Sequence, residues 1–132
     1  MNNPLNVTDE EWQNRIELAA SYHLADYFGW SDIIWNHITA KTSQHKNTFL
    51  INKFGLRYDE ITASNLLEID LEGNVISGEG KINYTGFIIH GALHNAKKKY
   101  SLCNAYPLKS RPSYILFKNG IRAYHTRCCN VP

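Results

Sequence analysis

The chain has 132 residues, of which 43% are hydrophobic and 20% charged, with a net charge of +2. That length supports one small domain with a single core, and no apolar run approaches the roughly 18 residues that would span a membrane. The polar start MNNPLNVTDEEW carries no secretion pattern, so a cytoplasmic location is expected, and three cysteines, two of them adjacent, argue against a disulfide framework.

Thr8 opens a capping box with Glu11 three residues on. Trp12, Ile16, Ala19, Ala20, Leu24, Tyr27 and Phe28 follow at helical spacing, which predicts a helix over Asp9–Phe28, closed by Gly29 and burying this aromatic stripe. His37–Thr42 and Thr48–Asn52 read as two short strands joined by a polar loop. Phe54-Gly55 reads as a turn. Thr62 is a candidate N-cap for a short helix over Ile61–Leu66. Leu67–Asp70 and Val75–Ser77 flank Leu71-Glu72-Gly73-Asn74, a hairpin pattern. Tyr84–Lys98 is predicted as a second helix, with Phe87, Ile88, Leu93 and Ala96 as its apolar face. Beyond it only Tyr114–Phe117 reads as a strand, because Pro107, Pro112 and Gly120 interrupt the rest.

Charge is unevenly distributed. All 12 acidic residues lie in 1–96, whereas 97–132 hold eight Lys/Arg, every cysteine and no acid. A basic tail of this kind can bind nucleic acid or acidic partners. The alternative is a tail that is not a selected sequence, and no nucleic-acid partner is then expected. His90 and His94, four apart on one helix face, are candidate metal ligands by spacing, without the glutamate of the HExxH motif. The competing reading is hydrogen-bonded or surface histidines. His125, Cys128 and Cys129 supply soft ligands without a CxxC pair. Asp59-Glu60 and Glu68/Asp70 are paired acids that could do acid/base work, or solvated surface acids. The glycine-rich loops lack a nucleotide-binding fingerprint.

Several segments, in order, resemble the class II aldolase/adducin family across residues 9–96. They are Phe28–Asp32, Trp35–Thr39, Phe49–Leu56, Asp59–Leu66, Ile69–Val75 and Ile82–His90. The resemblance implies a three-layer α/β/α fold around a largely antiparallel sheet, here incomplete, and subunits assembled as homo-oligomers. It implies metal-dependent aldehyde-lyase chemistry, or related decarboxylase or epimerase chemistry, on small hydroxy-carbonyl compounds. In complete members zinc or another divalent ion is held by three histidines. Other members are noncatalytic, adducin-like interaction proteins.

Carried over residue by residue, the resemblance assigns His37 and Thr39 to a substrate-phosphate segment that is Asn-Val-Ser in the aldolases. Gly55 is the one residue kept from their Thr-Pro-Thr-Gly turn. Thr85 keeps a hydroxyl of their phosphate-binding Ser-Ser pair, and Gly86 stands where they carry a catalytic glutamate. The family's His-x-His metal motif is missing. The expectation is therefore an adducin-like N-terminal half, 1–96, with no catalytic residue and no metal or other cofactor of its own. Small-molecule substrate would bind only in a complete domain, and the alternative is a noncatalytic protein-interaction module.

The tail, 97–132, reads as a shifted frame. The break falls at Lys97-Lys98-Lys99, an expected adenine-rich run. One nucleotide along, the codons from Lys99 to Arg111 all permit Asn-Ile-His-Cys-Val-Met-His-Thr-His-Ser-Arg-Ala-Gly. That string contains the missing His-x-His motif where the family has it. A tail of this origin is expected to be disordered.

Overall fold

The computed structural model describes residues 3–96, 102–108, 111–117 and 123–127. The first helix, α1, spans Asp9–Tyr27, with the Thr8 hydroxyl accepting from the Glu11 N–H. Strands β1 (His37–Lys41) and β2 (Thr48–Ile51) follow, then a 3-10 turn over Tyr58–Glu60, strands β3 (Leu67–Asp70) and β4 (Val75–Ser77), and helix α2 (Tyr84–Ala96). Strands β5 (Leu102–Leu108), β6 (Arg111–Phe117) and β7 (Ala123–Arg127) complete an antiparallel sheet of order β4-β3-β2-β1-β5-β6-β7.

Alternation along the strands sorts the core into two faces. Ile38, Ala40 and Leu50 point toward α1 and join Leu18, Tyr22 and Ala25. Phe49 and Ile51, one residue out of step, point the other way and join Leu67, Ile69 and Phe87 of α2. The helices thus cover opposite faces of the sheet, giving the expected three layers. On β1 the α2 face carries His37 and Thr39, both buried. The polar residues that β1 buries thus lie under α2.

Four expectations are corrected. The buried face of α1 is Glu11, Arg15, Leu18, Ala19, Tyr22 and Ala25, whereas Leu24, Tyr27 and Phe28 are exposed. The rotation is set by Tyr22, whose hydroxyl accepts from Ile38 N–H at 3.0 Å and also meets the Ile38 carbonyl, and by a buried Glu11–Arg15 pair. The α2 face is Phe87, His90, Gly91 and His94, with Ile88 half exposed. The short helix lies earlier than Ile61–Leu66. Ile61 and Leu66 are fully buried instead, and Thr62 and Asn65 close a single turn through reciprocal side-chain bonds. Finally, three strands follow α2 where the sequence predicts one. Pro107 and Pro112 face each other. Both lie beyond the last pairs made by the outer strands, which reach only Ala105 on β5 and Ser113 on β6. A missing N–H there removes no bond to β1 or β7. The lysine run 97–99, Cys128 and Cys129 lie outside the described residues.

Candidate functional site

Four of the residues singled out by sequence converge between β1 and α2. Thr39 Oγ1 lies 2.7 Å from His90 Nδ1 and 2.8 Å from His94 Nε2. The spacing of four on α2 sets both rings on one face, and the period of two on β1 turns Thr39 toward them. A single hydroxyl proton can serve only one ring. The other ring must present its own N–H to Thr39, so the two tautomers are coupled through one oxygen. Burial disfavours the imidazolium in both. His90 is held well below its ordinary value by burial, then by the neighbouring His37 and His94. His94 is pushed down to about 3, chiefly by burial, with Lys41 adding to it. His90 Nε2 is buried with no hydrogen-bond partner.

His37 occupies the same layer, its ring centroid 6.1 Å from that of His90. Its Nδ1 lies 3.0 Å from Asn52 Oδ1, which also accepts from the Tyr22 hydroxyl at 3.0 Å. Because Oδ1 only accepts, Nδ1 is the protonated nitrogen and Nε2 carries the lone pair. Burial lowers the His37 pKa, partly offset by the Asn52 bond. Asn52 and Tyr22 were not picked out from the sequence. The available signal was a polar residue directly after the apolar strand Phe49–Ile51, a position that is buried here.

Gly86, in the first turn of α2, lies against His37. A Cβ at residue 86 would sit 2.6 Å from His37 Nε2 and closer still to Cδ2. Gly55 and Thr85 are both exposed and stay outside this cluster. The turn carrying Gly55, at φ +93, is tied to the lead into α2 by Phe54 N–H donating to the Lys81 carbonyl. The amides of Thr85 and Gly86 donate to Asn83 Oδ1 at 3.0 and 3.4 Å, so this helix start is capped by its own chain.

The paired acids have structural partners. Glu68 is buried and accepts from His45 and Thr48 at 2.8 Å each, which corrects its reading as a solvated acid. Asp59 pairs with Arg57 at the surface, and Asp70 holds the β3–β4 turn by accepting from Glu72 and Asn74. A cavity of about 460 Å³ opens at the β1–β2 connection, lined by Lys41, His45, Lys46, Thr48 and His94. It meets the histidine cluster only at His94.

The residues present do not fit a divalent ion. The nearer nitrogens of His90 and His94 are directed onto a hydroxyl rather than onto a shared open point. Among the described residues no three His, Cys, Asp or Glu side chains are arranged to hold a metal ion, and tetrahedral sites need three or four ligands. Of the tail ligands, His125 lies on β7 and is separated from β1 by β5 and β6.

Residues 16–103 match the class II aldolase and adducin N-terminal domain family. An adducin-related protein of Schizosaccharomyces pombe is 46% identical over 117 residues, covering 82% of this chain and 36% of its own length. Rat alpha-adducin is 44% identical over 86 residues, 63% of this chain and 12% of its own. The crystal structure of an aldolase II superfamily protein from Pseudomonas syringae superposes with a TM-score of 0.76 at 39% identity, covering 79% of this chain and 42% of that one. The chain thus spans about a third of the fission-yeast relative and less than half of the solved bacterial chain.

Proposed function

The chain belongs to the class II aldolase/adducin family, and from that premise we propose that it is the N-terminal half, 1–96, of such a domain with no aldehyde-lyase activity of its own. The observation that carries this reading is the Thr39 bridge. It commits the metal-spaced histidines His90 and His94 to the core, while Gly86 leaves the position of the aldolase acid without a carboxylate. His37, Thr39, Gly55 and Thr85 are then the remains of a substrate-binding surface for small hydroxy-carbonyl compounds, used only in a complete, homo-oligomeric domain. A divalent ion would enter with ligands from beyond residue 96. The cytoplasm is the proposed location. Among the described residues no helix is long and apolar enough to cross a membrane.

The tail, 97–132, is proposed to be the same gene read one nucleotide out of frame. Ala105 and Pro107 are the positions at which the shifted codons permit the two histidines of His-Thr-His. The sheet register supports this, because Ala105 stands directly opposite His37, beside the cluster a metal site would join. The test is to sequence the locus at codons 97–99, delete one base and express the repaired frame. The repaired product is expected to be longer and to hold stoichiometric zinc, whereas the 132-residue chain holds none through dialysis. A stop codon soon after His-Thr-His, or zinc in the short chain that is lost in His90→Ala, overturns the reading.

A noncatalytic interaction module is the second reading. It is favoured by the exposed aromatic run Tyr27, Phe28 and Trp30, whose rings contact in sequence at 5.2 and 5.0 Å.

A further inference from the structure

The cavity at the β1–β2 connection has no part in the function proposed above. Residues 1–96 hold 12 acids against six Lys/Arg, yet two of those six, Lys41 and Lys46, line this one cavity together with His45. Among the described residues no Asp or Glu lines it. Its volume of about 460 Å³ is in the range of pockets that take small organic molecules, and Phe49 and Leu71 make part of its wall apolar.

Two carboxylates do reach the loop, and both are buried and engaged. Glu11 Oε2 accepts from the Ser43 N–H at 2.9 Å and from the Ser43 hydroxyl at 3.2 Å. Glu68 Oε1 accepts from His45 Nδ1 and Thr48 Oγ1 at 2.8 Å each. The acids thus brace the connection from the core, and the cations line its cavity side. The His45 side chain is 48% exposed. With Nδ1 given to Glu68, its Nε2 remains for a ligand, accepting from a P–OH when the ring is neutral and donating when it is protonated. Lys41, at the end of β1, acts on His94 with its charge, so positive potential extends to the inner wall of the cavity.

We infer that this cavity binds the phosphate of a small phosphomonoester, with Lys41 and Lys46 flanking the anion, His45 Nε2 bonding one of its oxygens, and Phe49 and Leu71 against the carbon part. Such a phosphate carries about −1.5 to −2 near neutral pH, which matches two ammonium groups, whereas a monocarboxylate would leave one of them unmatched. The site is separate from the segment assigned to substrate phosphate by resemblance. His37 and Lys41 stand at opposite ends of β1, about 13 Å apart at 3.3 Å per residue, and Gly55 and Thr85 do not line the cavity. Binding here requires neither lyase activity nor a repaired frame.

The test uses the 132-residue chain and three probes, glycerol 3-phosphate, inorganic phosphate and acetate, titrated at constant ionic strength against chloride. Calorimetry should give a dissociation constant of about 1 mM or tighter for glycerol 3-phosphate, with acetate weaker by about tenfold or more. Lys41→Gln/Lys46→Gln should weaken the phosphate probes about tenfold or more, because bonds to charged groups are worth at least that. Lys53→Gln/Lys81→Gln removes the same charge elsewhere and should change binding by no more than about threefold. On titration, NMR shifts should centre on the His45 ring and the amides of 43–48. Equal weakening in the two glutamine pairs, acetate binding as tightly as phosphate, or no binding of either phosphate probe overturns the inference. Shifts centred on Gly55 and Thr85 overturn it as well, and would place the phosphate on the substrate surface instead. The shift map needs no variant, so it decides the location even if the Lys41/Lys46 pair cannot be replaced without unfolding.

Discussion

At the residue scale the buried hydroxyl of Thr39 governs the α2 face. Thr39→Val keeps the shape and removes the hydroxyl that two buried imidazole nitrogens bond to. Leaving such groups unmet costs about 1–3 kcal/mol each, so we expect a loss of about 2–4 kcal/mol by urea unfolding. Thr39→Ser, which retains the oxygen, should lose far less. Protonation makes the same point. His90 and His94 have folded pKa values below the unfolded value near 6.5. Between those limits the unfolded chain binds more protons, so stability is complete above pH 6.5 and falls as the pH drops toward about 3 for His94. Midpoints should hold between pH 7.5 and about 6.5 and decline steadily below it, and a flat profile down to pH 5 would show that these rings are not held neutral. The sequence made the His90/His94 pair legible through its spacing. It could not reveal Thr39 as the partner, or the pairing of His37 with Gly86. Those contacts join positions 49 or more residues apart, and no local pattern encodes which strand residue meets which helix residue.

At the element scale, capping and turn chemistry were readable because they are local. Thr8, the Phe54-Gly55 turn and the Leu71–Asn74 hairpin all fall where the residues predicted. Helix faces were misjudged by about one position, because hydrophobicity ranked Leu24 and Phe28 above Glu11 and Arg15. The charged pair is the better guide to the packing of α1. Arg15 Nη1 donates to the Leu66 carbonyl at 3.0 Å, and Arg15 Nε lies 3.3 Å from Glu11 Oε1. The Glu11 carboxylate in turn accepts from Ser43 N–H at 2.9 Å. Removing one partner strands the other charge in the core. Glu11→Ala should therefore cost about 3–5 kcal/mol, whereas Glu17→Ala, an exposed change on the same helix, should be within about 0.5 kcal/mol. Denaturant titration of the two variants checks the contrast.

At the scale of the whole molecule, the three-layer arrangement follows from β2, whose alternate residues feed opposite cores. Of the strands after α2 only part of β6 was legible, as Tyr114–Phe117, since prolines mask a strand pattern unless the lengths of the neighbouring strands are known. If the tail is a shifted frame, its side chains carry no selection for that sheet. Limited proteolysis is then expected to cut after basic residues in 97–127 before it cuts within 9–96, and a nicked front half with an intact tail would contradict this. The exposed apolar groups at the end of α1 and the following loop form a second liability. Phe28→Ser with Trp30→Ser should raise the soluble monomeric fraction on size-exclusion chromatography.

The same cluster gives the chain an optical property. Of its three tryptophans, Trp30 and Trp35 are more than half exposed and Trp12 is partly buried. Most of the intrinsic emission thus arises from indoles in contact with water, and the Trp30 indole stacks on the Phe28 ring. Any body that covers this surface, whether a second copy or a different protein, removes that water and moves the emission to shorter wavelength. Association can therefore be followed by the unlabelled chain's own fluorescence, at concentrations set by the interaction rather than by the detector.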